Sequence, residues 1–184
     1  MKTKINKVTL QILVADLWSL PVDAVVHATD TDLNLEPGLR ARVGSQIIWE
    51  LDYIGYCPVG EAVMTGAGDL PFMRLIHAVG PRWGEGSERG KLASVPFECL
   101  RLAEEAGLKS LALPAISTGA LGYPLENCAT TMLTTIIDYT YEDLKHLRRV
   151  ILCLSDDHAQ EIFRHELARQ LAEVASGSDA SASV

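Results

Sequence analysis

Val150-Ile151-Leu152-Cys153-Leu154 is apolar at every position, and so is Ala24-Val25-Val26. A strand with one wet face alternates apolar and polar side chains, whereas a strand without alternation is covered on both faces. This constrains the chain more than any other feature: its sheet must lie between two layers of helices. Strands are predicted at Val8–Leu13, Ala24–Ala28, Glu61–Thr65, Arg74–Val79, Ser110–Ala115 and Arg149–Leu154, six in all. Between them lie apolar stripes of helical period. Leu92, Val95, Cys99, Leu102, Ala103 and Ala106 form one, with Gly107 as its C-terminal cap; Leu125, Cys128, Ala129, Met132, Leu133 and Ile136 form another, entered through Pro124. Phe163, Leu167, Leu171 and Val174 form a third, and a further helix is expected from about Pro37 to Leu51.

With 184 residues and no internal repeat, the chain is expected to be one domain over residues 1–174. Residues 175–184, rich in Ser, Ala and Gly, have nothing to bury and read as a flexible tail. A net charge of -8 argues against a nucleic-acid or anionic-membrane partner, which needs a basic face. No stretch reaches the roughly 18 apolar residues of a membrane span. The charged start Met1-Lys2-Thr3-Lys4 leads into no signal-type apolar core, so a cytoplasmic protein is expected. Cys57, Cys99, Cys128 and Cys153 lack metal-type pairing and read as packed thiols.

The chemistry concentrates in Pro114-Ala115-Ile116-Ser117-Thr118-Gly119-Ala120-Leu121-Gly122-Tyr123-Pro124. A buried strand enters a loop with two glycines and two hydroxyls, and a helix follows at once. Such loops aim backbone N–H groups at anions, glycine permitting close approach. The same residues also suit a plain strand-to-helix turn. Neither a Gly-Lys-Ser/Thr nor a Gly-x-Gly-x-x-Gly pattern is present.

This segment resembles the signature of the macrodomain family. Three further segments agree in order: Val22-Asp23-Ala24-Val25-Val26, Cys57-Pro58-Val59-Gly60-Glu61-Ala62, and Ile76-His77-Ala78-Val79-Gly80-Pro81-Arg82-Trp83. The likeness covers about residues 8 to 172. It implies a three-layer α/β/α fold with a mixed, largely parallel sheet, and a partner that is ADP-ribose or a related nucleotide, free or protein-linked. Carried over by position, Asp16 matches the aspartate that accepts from the adenine amino group, with Leu17 beside it. Ser117, Thr118, Gly119, Ala120, Leu121, Gly122 and Tyr123 match the diphosphate and distal-ribose loop, and Ser155 and Asp156 fall at the adenosine end. Asp16 also suits a turn or cap.

The resemblance breaks where hydrolytic members read Asn-Ala-Ala-Asn. Here the residues are His27-Ala28-Thr29-Asp30, and the loop to Arg40 holds one glycine, Gly38. An ionised carboxylate only accepts hydrogen bonds, whereas the amide it replaces also donates. Asp30, Asp32 and Glu36 add negative charge beside an expected diphosphate, offset by Arg40 and Arg42 if those face the cleft. Three readings follow: a binder without turnover, a hydrolase using Asp30 or Asp32 as general base, and a scaffold that takes no nucleotide. A divalent cation across Asp30 and Asp32 is a weaker variant; no metal or cofactor is expected. His27 either packs at the strand end or pairs with Asp30, and Trp18, Trp49 and Trp83 are expected to be at least half-buried.

Overall fold

The computed structural model describes the backbone of residues 1–181 and the side chains of residues 1–177. Seven strands form one sheet: β1 Lys2–Ile5, β2 Val8–Val14, β3 Ala24–Thr29, β4 Ala62–Thr65, β5 Arg74–Val79, β6 Ser110–Leu113 and β7 Arg149–Leu154. Five helices complete the fold: α1 Pro37–Val43, α2 Ser45–Ile54, α3 Glu88–Glu105, α4 Leu125–Tyr139 and α5 Asp157–Ser181. The strand order is β1-β2-β7-β6-β3-β5-β4. The five central strands run parallel, and β1 and β4 are antiparallel edges.

The unalternating runs are explained by the two cores. Val25, Leu75, Ala112 and Ile151 face α1 and α2, packing with Leu39, Val43, Ile47 and Leu51. Val26, Ile76, Leu111 and Val150 face α3, α4 and α5, packing with Leu92, Cys99, Met132 and Phe163. Both faces are dry, so both sets of positions must be apolar.

Seven strands rather than six is one correction. β1 escaped notice because Lys2 and Lys4 are charged, which is how edge strands resist pairing with other chains. A second concerns the helix expected from Pro37 to Leu51, which is two helices. Gly44, at φ +82°, ends α1 and precedes α2, and a residue with a Cβ disfavours that geometry. Pro124 precedes α4 instead of opening its first turn, its carbonyl accepting from Cys128 N–H. Gly107 does close α3, with its own and the Leu108 amide turned back on Glu104 and Ala103. α5 runs on through residues 175–181, which the sequence assigned to a tail; 182–184 lie outside the described residues. No helix among the described residues is long and apolar enough to cross a membrane. All four cysteines are buried and free.

Candidate functional site

Parallel strands end together, so the topology gathers the loops after β2, β7, β6, β3 and β5 at one edge of the sheet. Every residue read from the sequence as a candidate ligand-binding or catalytic residue lies on that edge. Asp16 and Leu17 follow β2, Ser155 and Asp156 follow β7, Ser117 to Tyr123 follow β6, and Asp30 and Asp32 follow β3. At about 4.8 Å per strand, the Asp16 end is roughly 14 Å from the Asp30 end.

The loop after β6 is open toward a guest. Gly122 N–H closes on Gly119 O, Tyr123 N–H on Ser117 O, and Trp83 N–H reaches Leu121 O from the β5 side. The amides of Gly119, Ala120 and Leu121 make no hydrogen bond among the described residues. Gly119 and Ala120 are exposed, and α4 begins four residues beyond Leu121. Ser117 sits at φ +66°, an uncommon region for a residue with a side chain, and its Oγ is the single enclosed polar side-chain atom without a partner among the described residues. The Thr118 hydroxyl is donated to Ala115 O at 2.9 Å. Tyr123 is buried edge-on against Trp83, with centroids 5.0 Å apart, so it builds the loop's wall.

Gly80 makes the Ser117 turn possible. A Cβ there would collide with Ser117 Oγ and with Ile116 Cγ2. Gly80→Ala should therefore lower the unfolding free energy by about 1–3 kcal/mol, the usual effect of overpacking, read from urea denaturation. An unchanged midpoint would mean the turn has room.

The loop after β3 is closed upon itself. Asp30 Oδ1 accepts from Asp32 N–H at 3.0 Å and Asn34 N–H at 3.3 Å, and the Asn34 side-chain amide donates to both carboxylate oxygens. Leu33 N–H returns to Asp30 O, and Thr29 Oγ1 donates to Asn34 O. Slight burial pushes the Asp30 carboxyl up, but these donors outweigh it and hold the group below its ordinary range. Asp32 is exposed.

At the other end Asp16 caps a 3-10 turn, Leu17–Ser19, by accepting from Trp18 N–H at 3.1 Å, and its carboxylate stays exposed. Asp156 Oδ1 caps α5 through Ala159 N–H at 2.8 Å, which gives it a structural task; Ser155 is exposed. Between the ends lies a cavity of about 410 Å³, walled by Leu17, Trp18, Leu39 and Pro114 and bordered by His27, Glu36 and Arg42. Arg42 thus faces the cleft region. Trp18 is half-buried as expected, but Trp49 is 66% exposed, stacked on Tyr53.

His27 does not hydrogen-bond Asp30. Its Nδ1 lies 3.2 Å from His77 Nδ1, and His77 Nε2 lies 2.8 Å from Thr65 Oγ1. Burial lowers the His27 pKa, against the opposing pull of Glu36 and Asp30. Burial, with the neighbouring His27, pushes His77 down to about 3. Sequence reasoning missed His77, Thr65, Gly80 and Asn34 as parts of the site. Only Asn34 left a local signal, an Asp-x-Asp-x-Asn spacing suited to an Asx turn.

Comparison with known proteins agrees with this architecture. The Macro domain family model matches residues 13–132. The chain is 38% identical over 173 residues to an uncharacterised protein of Sulfurisphaera tokodaii, covering 89% of this chain and 93% of that one. It is 34% identical over 164 residues to a protein named O-acetyl-ADP-ribose deacetylase from Enterobacter sp. strain 638, covering 84% and 91%. Among solved structures, the Oceanobacillus iheyensis macrodomain with ADP superposes with a TM-score of 0.87 at 26% identity, over 94% of this chain and 97% of that one.

Proposed function

The chain belongs to the macrodomain family, and from that premise we propose that it binds ADP-ribose or a related nucleotide, free or protein-linked, with the family's usual hydrolysis impaired or absent. The observation that carries this reading is the run of unengaged amides at Gly119, Ala120 and Leu121, beside the unpartnered Ser117 hydroxyl. Consecutive N–H groups ahead of a helix attract a diphosphate. The exposed Asp16 carboxylate is an acceptor suited to an exocyclic amine. Solved macrodomain complexes with ADP support the assignment by analogy.

The impairment rests on Asp30. A general base works best with a pKa near the working pH, and the donors from Asn34 and Asp32 hold this carboxyl below its ordinary range, which makes it a weak base. A hydrolase reading is favoured by the relative named O-acetyl-ADP-ribose deacetylase. It would have to use the exposed Asp32 or another base. We take residues 1–174 as the functional domain and the cytoplasm as its compartment. The acidic charge disfavours nucleic acid as a partner.

Calorimetric titration with ADP-ribose tests the proposal, and saturable single-site heat is expected. Absence of heat at millimolar ligand would leave the scaffold reading. Because Trp18 borders the cavity, ADP-ribose should also quench the intrinsic fluorescence, and the quench should vanish in Trp18→Phe. A quench that persists in that variant would place the base away from Leu17 and Trp18.

A further inference from the structure

His27 and His77 stand opposite each other across the parallel β3–β5 pair, 50 residues apart in sequence, and both side chains are buried. Their protons follow from their neighbours. Thr65 Oγ1 touches the Gly66 carbonyl oxygen at 2.8 Å and His77 Nε2 at 2.8 Å. A carbonyl only accepts, so the hydroxyl proton goes to Gly66 O and His77 Nε2–H donates to Thr65. That leaves His77 Nδ1 as an acceptor, and the 3.2 Å contact becomes a hydrogen bond only if His27 Nδ1–H donates to it. His27 Nε2 then carries a bare lone pair.

That nitrogen has no partner among the described residues, yet it is absent from the fully enclosed unpartnered atoms, which comprise Ser117 Oγ alone. It therefore keeps an opening, and the space that His27 borders is the cavity between Leu17, Trp18, Leu39 and Pro114. We propose that His27 is a specificity-determining residue: its Nε2 is a fixed acceptor that takes a neutral O–H or N–H of the bound nucleotide and repels an anionic oxygen. This inference rests on the nucleotide reading above. It divides the cleft by chemistry, with phosphate on the Gly119–Leu121 amides and a hydroxyl or amine against His27.

The charged and titratable groups around His27 are Glu36 and Asp30 from the loop after β3, Arg42 from α1 and His77 from β5. The two carboxylates favour its protonation, and burial opposes it more strongly. Once acid puts a proton on Nε2, the acceptor becomes a donor. Affinity for the guest should therefore fall as pH drops below the ordinary histidine range.

The test uses the intact chain, with ADP-ribose and ADP as probes. Nitrogen-15 NMR of the wild-type imidazoles should find His27 Nε2 unprotonated in the free protein and shifted in the ADP-ribose-saturated complex. In calorimetry, His27→Phe should bind ADP-ribose about tenfold more weakly, the effect of one buried hydrogen bond. An equal loss with ADP assigns the donor to the adenosine portion; a loss confined to ADP-ribose assigns it to the terminal ribose. If that variant fails to fold, the NMR measurement on wild type decides alone. A protonated Nε2 in the free protein, or an unshifted one at saturation, overturns the inference while leaving nucleotide binding intact. No heat from wild type with ADP-ribose overturns the nucleotide reading itself, and the inference with it.

Discussion

Gly119→Glu should weaken ADP-ribose binding by at least about a hundredfold while leaving the protein folded. Gly119 is exposed, and a Cβ at this position meets nothing within 4 Å. Its backbone is also outside the left-handed region, so a side chain fits without strain. The effect is electrostatic. Two unit charges about 4 Å apart at an effective dielectric near 20 repel by about 4 kcal/mol, which corresponds to about a thousandfold in affinity. A flexible surface glutamate will relieve part of that. Gly119→Gln, equal in bulk, should lose far less. Calorimetry on both variants separates charge from size, and equal losses would mean that no anion sits on these amides.

Acid should destabilise the fold from about pH 6.5 downward, before the carboxylates titrate. Unfolded His77 takes a proton near 6.5, and in the folded protein burial delays this to about 3. Between those values the unfolded chain holds a proton that the folded chain lacks. Stability is therefore complete above 6.5 and falls as pH falls, by about 1.4 kcal/mol per pH unit once the unfolded group is protonated. Between pH 6.5 and 4.5 this amounts to about 2–3 kcal/mol, and His27, also lowered, acts in the same direction. The depressed carboxyls of Asp30 and Glu104 respond only at lower pH, so the window belongs to the histidines. Urea denaturation at several pH values should show this slope in wild type and a shallower one in His77→Gln. Parallel slopes would mean that His77 is not buried neutral.

The layered fold was legible because its determinant is local. Val150 to Leu154 and Ala24 to Val26 announce two covered faces without reference to any partner. The turn from β6 to α4 was legible for the same reason, since glycines and hydroxyls between a strand and a helix restrict what that turn can do. Contacts set by register were not legible. Nothing near His27 in the chain points to His77; only the β3–β5 alignment brings them opposite each other. The Ser117 turn likewise depends on Gly80, which reaches it from the next strand but one. Trp49 was misjudged because aromatic character suggests burial, while α2 turns that side chain to solvent beside Tyr53.

The knot formed by Asp30 and Asn34 has a kinetic consequence. A segment that already bonds its Asp32, Leu33 and Asn34 amides internally before any guest arrives has little disorder to surrender. On the nucleotide reading proposed above, that flank would swing no gate over a guest, and its dwell time would be set by the neighbouring lip, where the exposed Gly119 and Ala120 amides would meet it.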